Sequence, residues 1–419
     1  MGKDDKIIYV YSDWSTRSPE LMGMLYVGET RGKELFSFEY GKDWIRSNTS
    51  SIFLDPDLRL YSGRQYAPPS KTLFGTFSDS CPDRWGRLLM SRKEAVWAAK
   101  EGRKPRALQE SDYLLGVFDE TRMGALRFSL AEGGPFLATG KDLPVPPWTT
   151  LRALESASLS FESDESGQEE KWLDQLLAPG SSLGGARPKA SVMAPDGSLW
   201  IAKFPSKNDE WNSGAWEIVV HDLAVKCGLN VPEARLETFS GRGGTFIVKR
   251  FDRDGAQRIH FTSAMTLLGK TDGEGAEDAG YLDIASFVKS RGASPKQDLR
   301  ELWRRIVFNM AVSNTDDHLR NHGFLLTDRG WTLSPAYDVN PNIYGNRLSL
   351  NVNMDDNLIS FASALETAEF YEIDIRDAEN TVSGIKSTVR DNWRPLASFY
   401  GLSSGAISRM APAFDMEFK

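Results

Sequence analysis

Cysteine is scarce in this sequence: only Cys81 and Cys227 occur in 419 residues, far apart along the chain. Two such residues provide neither a disulfide framework nor a zinc site built on cysteine, and they fit a reducing compartment. The sequence also lacks any apolar run of about 18 residues, and its start, MGKDDKIIYVYSDW, has no apolar signal-peptide core. We therefore expect a cytoplasmic protein without a membrane span.

An excess of positive charge is missing as well. Lysine and arginine number 50 against 58 aspartates and glutamates, which gives a formal net charge of −8. This balance argues against a nucleic-acid footprint over the whole surface, although a local basic patch stays compatible with it. The hydrophobic fraction of 40% is typical of a globular protein. At 419 residues the chain is long for a single core, so we expect two domains or subdomains.

The distribution of apolar residues indicates an α+β protein without internal repeats. In the first 135 residues, short strand-like runs are followed by helical stretches: the strands are Ile7–Tyr11, Met22–Val27 and Glu34–Tyr40, and the helices are Arg84–Ala99 and Ser111–Phe118. Two acidic stretches, 162–171 and 272–280, are typical of a mobile connection and a surface loop. Helical spacing returns from Phe361 onward.

A segment with two adjacent glycines precedes a predicted strand, turn and second strand. Residues 181–204 read SSLGGARPKASVMAPDGSLWIAKF. Gly184 and Gly185 permit positive φ and a close backbone approach, so N–H groups here could face phosphate oxygens. Arg187 and Lys189 would add positive charge. The segment is not a Walker loop, and the nearest match to one elsewhere in the chain has alanine in place of the first required glycine.

Lys203 lies in an apolar run between Ala202 and Phe204. An unpaired ammonium is costly there, and a polyanionic ligand would supply its partner. Alternatively, the run is an edge strand whose lysine extends to water. Glu217, beside the apolar stripe of the following helix, could pair with Lys203 as a helix glutamate does in kinases, or it could lie at the surface. The strand Gly244–Phe251 could present its backbone to an adenine edge.

The densest polar cluster of the chain follows a strongly apolar helix. Residues 312–326 read VSNTDDHLRNHGFLL, and the helix before them, Asp298–Ser313, has apolar residues along one face. Gly323–Leu326 is predicted as a strand that turns and returns over Trp331–Tyr337. The cluster is thus placed on a loop between a buried helix and a hairpin.

If this hairpin forms, Asn321 and Asp338 lie at its open end, with Asp316 a few residues upstream. Amide and carboxylate oxygens suit Mg²⁺, and an aspartate beside such a site can orient or deprotonate a hydroxyl nucleophile. His318 and His322, spaced i,i+4, offer a zinc pair instead, but this requires a helix, and the metalloprotease motif has a glutamate that is missing here. A purely structural polar loop is the third interpretation.

Taken in order, these motifs resemble the HipA family of bacterial serine/threonine kinases, the toxin components of HipBA-type toxin–antitoxin modules. The resemblance rests on NTDDHLRN and SPAYDV, on GGARPKA, WIAKFP and FIVKRFDR upstream, and on FSDSCPDRWGRLL and DYLLGVFDETRMGALRF in the N-terminal part. It implies a two-lobed core like those of protein and phosphoinositide kinases. The implied segments are an N-terminal α+β subdomain (1–135), a connection (136–180), a nucleotide-binding part (181–255) and a mostly helical C-terminal catalytic lobe (256–419).

The resemblance also implies roles for single residues. Asp316 would be the catalytic base, with His318 and Asn321 completing the catalytic loop, and Asn321 and Asp338 would hold Mg²⁺. The residues implied in ATP binding are Gly184, Gly185, Ala186, Arg187, Lys189, Lys203, Glu217, Lys249, Phe251, His318, Asn321 and Asp338. In the family, a serine just before the glycine-rich loop is autophosphorylated, and here this position is Ser182, with Ser181 as the alternative.

Two positions depart from the best-known member of the family. Asp317 stands where that member has glycine, and an extra carboxylate near the metal could alter Mg²⁺ affinity or substrate preference. Arg187-Pro188 stands where that member has polar residues, so the mobility of the loop could differ. His322 is left without a chemical role and is interpreted as structural.

The resemblance therefore implies an ATP- and Mg²⁺-dependent protein serine/threonine kinase that acts as a toxin. Its partner would be a HipB-like helix-turn-helix antitoxin, and its substrate a translation component such as an aminoacyl-tRNA synthetase. No DNA-binding motif is evident, so direct DNA binding is expected to be weak or absent. The alternatives are a catalytically weak, antitoxin-associated co-repressor subunit and a small-molecule kinase.

Overall fold

The structure, a computed structural model, describes residues 6–14, 18–47, 52–137, 145–163, 176, 185–271, 279–416 and 419. Two compact units are present: unit 1 comprises Met1–Lys207 and Arg250–Thr262, and unit 2 comprises Asn208–Lys249 and Ser263–Lys419. Each unit mixes helices and strands, which confirms the predicted α+β class. The four segments predicted from the sequence are a finer division and stay a prediction, and the two acidic stretches lie largely outside the described residues.

Unit 1 begins with an antiparallel sheet of five strands in the order β4-β3-β2-β1-β5. Its strands are β1 Lys6–Ser12, β2 Glu20–Thr30, β3 Lys33–Tyr40, β4 Gln65–Tyr66 and β5 Leu126–Ser129. The first three confirm the strand-like runs of the sequence. Apolar side chains from β1, β2 and β3, such as Ile8, Met22 and Phe38, are fully buried and form the core under this sheet.

The helices of unit 1 are α1 Lys42–Ser47, α2 Gly75–Ser78, α3 Arg84–Lys100, α4 Glu110–Gly116 and α5 Leu151–Glu162. The helix predicted over Ser111–Phe118 is shorter than expected, because Val117 is in an extended conformation. As predicted, a Pro-Asp-Gly turn joins two antiparallel strands, β6 Lys189–Met193 and β7 Leu199–Lys203, with Lys189 opposite Lys203. Two short strands follow, β10 Arg253–Asp254 and β11 Gln257–Arg258, and a third, β12 Phe261–Ser263, ends at the residue where unit 2 resumes.

A buried cluster of charges anchors the RFDR sequence within unit 1. Arg250 and Arg253 both donate to Asp252, at 2.7 and 2.6 Å, and the backbone N–H of Gly124 donates to the same carboxylate at 2.8 Å. The Asp252 side chain is fully buried. Burial alone would raise its pKa, but the two arginines outweigh burial and hold the pKa of Asp252 below its usual range. Through the hydrogen bond between Asp252 and Gly124, the RFDR residues therefore hold the N-terminal part of the chain in place within unit 1.

The replacement Arg253→Lys is expected to lower the free energy of unfolding by about 1–2 kcal/mol. The guanidinium of Arg253 donates to the backbone carbonyls of Glu120 and Arg122 as well as to Asp252, and one ammonium cannot reproduce this geometry. Urea unfolding at pH 7 measures the change. The control is Arg235→Lys, at an exposed ion pair, for which we expect a change of less than about 0.5 kcal/mol. Equal effects of both replacements would contradict the proposed anchoring.

Unit 2 contains more helix than strand. Its helices are α6 Ser213–Lys226, α7 Ala264–Leu267, α8 Tyr281–Arg291, α9 Pro295–Val312, α10 Phe361–Glu366, α11 Ile375–Phe399 and α12 Ser404–Met410. Its hairpins are formed by β8 Ala234–Ser240 with β9 Gly243–Lys249, and by β13 Gly323–Thr327 with β14 Gly330–Leu333. None of the helices in the described ranges is long and apolar enough to cross a membrane.

Helix α9 passes through the core of unit 2. The six apolar residues that predict it from the sequence are fully buried: Leu299, Leu302, Trp303, Ile306, Val307 and Met310. From Arg305 to Val312 every residue is buried, including the polar Asn309. This helix therefore provides a rigid support for the loop that follows it.

The hairpin after the polar cluster is confirmed, but its return strand was predicted too long. Strand β14 ends at Leu333 instead of reaching Tyr337. Pro335 lies two residues beyond, and a proline has no N–H to donate to a neighbouring strand. The chain from Ala336 onward consequently makes other contacts, which bear on the candidate site.

Candidate active site

The loop that carries the polar cluster starts where α9 ends. Ser313 has a left-handed backbone (φ 52°), which terminates the helix, and its hydroxyl donates to the carbonyl of Ala413 at 2.9 Å. Asn314 is buried, and its side-chain amide donates to Asn309 Oδ1 at 3.2 Å. The direction of the loop is thus fixed by contacts to Asn309 of the core helix and to Ala413 near the end of the chain.

The three residues predicted as catalytic lie together on one tight turn. The side-chain amide of Asn321 donates to the backbone carbonyl of Asp316 at 2.9 Å, and the backbone N–H of His318 donates to the same carbonyl at 3.0 Å. The side chain of Asp316 is exposed, whereas Asn321 is buried. An accessible carboxylate is therefore held beside an amide whose orientation is set by its own hydrogen bond.

Asp317, next to the exposed Asp316, points into the protein. Its Oδ2 accepts hydrogen bonds from the Tyr281 hydroxyl at 2.6 Å, the Asn309 amide at 2.7 Å and His322 Nε2 at 2.9 Å. Burial alone would raise the pKa of Asp317, but the charge and hydrogen bond of His322, together with the bond from Tyr281, hold it below its usual range. Two adjacent carboxylates thus occupy opposite environments.

This network gives Asp317 a structural role that the sequence did not indicate. The carboxylate ties the loop to α8 through Tyr281 and to α9 through Asn309. His322, interpreted from the sequence as structural, belongs to the same network and is buried. No pattern in the sequence points to Tyr281 or Asn309, because both stand among apolar helix residues. An effect of Asp317 on Mg²⁺ affinity stays a prediction.

The segment after β14 lies against the catalytic turn. The Tyr337 hydroxyl donates to the Arg320 carbonyl at 2.6 Å, and the Asn342 amide donates to Thr315 Oγ1 at 2.6 Å. Asp338, between these two contacts, has a left-handed backbone with φ 58°. For a residue other than glycine this conformation costs on the order of 1 kcal/mol, and such strain concentrates at functional sites. The structure thereby brings the segment of Asp338 to that of Asp316 and Asn321.

The donors on these two segments fit Mg²⁺. Because the Asn321 amide nitrogen is committed to the Asp316 carbonyl, its Oδ1 faces away from that bond as an oxygen donor. Asp338 is half-buried and adds a carboxylate whose Oδ1 accepts a hydrogen bond from the Asn340 amide at 3.3 Å. Mg²⁺ keeps several waters and substrate oxygens, so two protein donors suffice.

The zinc alternative receives no support. The turn between the two histidines, Leu319–Asn321, is a 3₁₀ helix and not the α-helix that an i,i+4 pair requires. Within the described ranges, no group of three histidine, cysteine, aspartate or glutamate side chains is placed to hold a metal. His318 Nδ1 is buried without a hydrogen-bond partner, which leaves this ring, predicted to contact the nucleotide, with an unused polar atom.

The residues predicted to bind the nucleotide are divided between the units. Gly185, Ala186, Arg187, Lys189, Lys203 and Phe251 belong to unit 1, whereas Glu217 and Lys249 belong to unit 2 with the catalytic turn. Gly184, Ser181 and Ser182 lie outside the described residues. Glu217 is buried on α6, which excludes the alternative of a surface glutamate. Its pairing with Lys203, and the nucleotide contacts of this set, stay predictions.

Lys189 has an anionic partner that the sequence did not reveal. Its Nζ lies 2.7 Å from Asp83 Oδ2, and both side chains are almost completely buried. Burial raises the pKa of Asp83 above its usual range, while Lys189 acts in the opposite direction. The only sequence signal at Asp83 is that of a helix N-cap, since its carboxylate accepts from Gly86 N at the start of α3.

The family model of the HipA-like C-terminal domain matches residues 181–393 of this chain. "Putative kinase Y4mE" of Sinorhizobium fredii is 30% identical over 182 residues, which cover 38% of this chain and 41% of that protein. A "Putative kinase" of Haemophilus influenzae is 28% identical over 179 residues, which cover 38% of this chain and 52% of that protein. The chain thus spans about half or less of the length of these curated relatives.

A solved structure extends the comparison to nearly the whole chain. The complex of HipA, HipB and operator DNA from the toxin–antitoxin system of Shewanella oneidensis MR-1 contains a chain that matches with a TM-score of 0.66. The match covers 97% of this chain and 95% of that one, at 16% identity. The likeness shows the fold, and it confirms the fold that the sequence resemblance implied. Since the family model also matches just over half of the residues, the chain belongs to the HipA family.

Proposed function

We propose that this protein is an ATP- and Mg²⁺-dependent protein serine/threonine kinase. The observation that carries the proposal is the exposed carboxylate of Asp316, held on one turn with Asn321 and next to the segment of Asp338. Phosphoryl transfer requires a group that orients a hydroxyl and donors that neutralise phosphate charge, and this arrangement supplies both. The relatives named as kinases support the same reading.

In the proposed reaction, the hydroxyl oxygen of the acceptor attacks the γ-phosphorus of ATP while the bond to the bridging oxygen of ADP breaks. Asp316 aligns the hydroxyl and accepts its proton. Asn321 and Asp338 would hold Mg²⁺, which when bound neutralises charge on the phosphate oxygens. Lys203 would contact the phosphates, and the backbone from Lys249 to Phe251 would bind the adenine.

The proposal extends to the biological role. We assign the chain as the toxin of a toxin–antitoxin module with a HipB-like helix-turn-helix antitoxin as its partner, supported by the fold it shares with the Shewanella chain. Its autophosphorylation site would be Ser182, or alternatively Ser181. The substrate would be a translation component such as an aminoacyl-tRNA synthetase. This part of the proposal rests on the family resemblance alone, because the active-site residues indicate how the phosphate donor is bound and do not identify the acceptor.

Phosphate incorporation tests the proposal. The purified chain, incubated with radiolabelled ATP and Mg²⁺, should label itself, and mass spectrometry should place the phosphate on Ser182. Chelation of Mg²⁺ should abolish labelling, and Asp338→Ala should lower its rate about a hundredfold or more, because charge on the phosphates is then left uncompensated. The control is Asp355→Ala, which removes another exposed carboxylate of unit 2, one for which no metal-binding role is proposed.

Each contrary outcome has a distinct meaning. If Asp338→Ala labels itself at the wild-type rate, Asp338 is not a ligand of the metal. No ATP turnover by the isolated, folded chain would favour the co-repressor alternative. Transfer to added small metabolites, without labelling of any protein, would favour a small-molecule kinase.

A further inference from the structure

The start of α3 holds the Gly185–Lys189 segment by several contacts within unit 1. Lys189 Nζ lies 2.7 Å from Asp83 Oδ2 and 3.4 Å from the Gly185 carbonyl. The indole N–H of Trp85 donates to the Lys189 carbonyl at 3.1 Å, and the backbone N–H of Trp85 donates to the Gly185 carbonyl at 3.4 Å. Both ends of this five-residue segment are thus attached to the N-terminal part of the chain.

The positive charge of Lys189 and the negative charge of Asp83 form a buried ion pair within unit 1. The Lys189 side chain is 1% exposed and that of Asp83 is 4% exposed, so neither exchanges its partner for water. Asp83 serves two elements at once, because Oδ1 accepts from Gly86 N at 2.8 Å while Oδ2 binds Lys189. The ammonium of Lys189 therefore fixes the segment, while its predicted contribution to phosphate binding stays a prediction.

Gly185 needs contacts from other residues to hold its backbone in one conformation. Its φ of 93° is a conformation that glycine adopts at no steric cost, so nothing in the residue itself selects this geometry. Its carbonyl receives the two hydrogen bonds from Lys189 and Trp85, and these define the direction of the peptide groups that follow. Backbone N–H groups bind phosphate well only when they are preorganised.

We propose that Asp83 is a positioning residue for nucleotide binding: through Lys189, and with Trp85, it sets the backbone of the Gly185–Lys189 segment for the phosphates of ATP. The inference rests on the proposed kinase function. It gives the N-terminal part of the chain a role in ATP binding. It also predicts that the phosphates, and not the adenosine moiety, are affected when the attachment is lost.

Asp83→Asn tests this inference, because asparagine caps a helix about as well as aspartate but removes the charge that binds Lys189. We expect the Kd for ATP with Mg²⁺, measured by isothermal titration calorimetry, to rise about tenfold. This is the size of effect expected when the charge-assisted hydrogen bond between Asp83 and Lys189 no longer positions the segment. The Kd for adenosine should stay within about twofold of the wild type, since adenosine has no phosphate for the segment to contact.

Two further variants separate positioning from general stability. Asp57→Asn removes the carboxylate of another lysine ion pair of unit 1, with Lys71, and should leave both dissociation constants unchanged. Trp85→Phe keeps a buried aromatic ring, although a smaller one, and removes the N–H that binds the Lys189 carbonyl. It should weaken ATP binding about threefold while sparing adenosine. It also keeps the test decisive should Asp83→Asn fail to fold.

The outcomes are distinguishable. Unchanged ATP affinity in folded Asp83→Asn would overturn the inference and leave the proposed function intact. Equal losses of ATP and adenosine affinity would also overturn it, because they indicate a general disturbance of the fold. A wild-type chain that binds neither ligand would overturn the proposed kinase function itself.

Discussion

Replacing Asp316 by asparagine is expected to lower the rate of phosphate transfer by about a thousandfold while ATP still binds. Asparagine has nearly the same shape but cannot accept the proton of the attacking hydroxyl. The Asp316 carbonyl, which holds Asn321 and His318, belongs to the backbone and is retained in the variant. The loss should therefore appear in the chemical step and not in the affinity for ATP.

Single-turnover transfer from radiolabelled ATP measures the rate, calorimetry measures ATP affinity, and thermal unfolding checks the fold. The matched control is Asp328→Asn, an exposed aspartate in the turn between β13 and β14, which should leave all three unchanged. Wild-type transfer by Asp316→Asn would show that Asp316 is not the base. A parallel loss of ATP affinity would instead indicate that it contributes to nucleotide or metal binding.

Local patterns in the sequence were sufficient for the parts of the fold that depend on neighbouring residues. The apolar spacing along α9 predicts the helix, because each turn repeats the same buried face, and the Thr-Asp-Arg-Gly turn predicts the hairpin after it. The same reasoning extended β14 too far: the return strand was predicted up to Tyr337, but the missing N–H of Pro335 ends the pairing.

The hydrogen-bond partners of the polar residues could not be predicted from the sequence, because they lie far apart along the chain. Asp317 and its partner Tyr281 are 36 positions apart, and Asp83 and Lys189 are 106 positions apart. Nothing in a local pattern distinguishes the exposed Asp316 from the buried Asp317, since the difference arises only when α8 and α9 pack around the loop. The family resemblance supplied roles for the catalytic turn, but not these supports.

Loss of the buried carboxylate in Asp317→Ala is expected to lower the free energy of unfolding by about 3–5 kcal/mol at pH 7. The variant leaves the donors of Tyr281, Asn309 and His322 without their common acceptor, and each unpaired buried donor is costly. Asp317→Asn retains an oxygen acceptor and should be affected less. Phosphate transfer should fall in both variants, because the turn that carries Asp316 loses its attachment to α8 and α9.

The effect of Asp317 on stability should depend on pH in a defined direction. Its pKa is lower in the folded protein than the value of about 3.9 expected for an unfolded chain, so the ionised carboxylate stabilises the fold above that value. As the pH falls through the folded pKa, the carboxylate is protonated and this contribution is lost. Urea unfolding should therefore show the largest difference between wild type and Asp317→Ala near neutral pH and a smaller one in strong acid. A difference that grows as the pH falls would mean that the network binds the protonated acid, and Asp317 would then hold the loop as a hydrogen-bond partner and not as a charge.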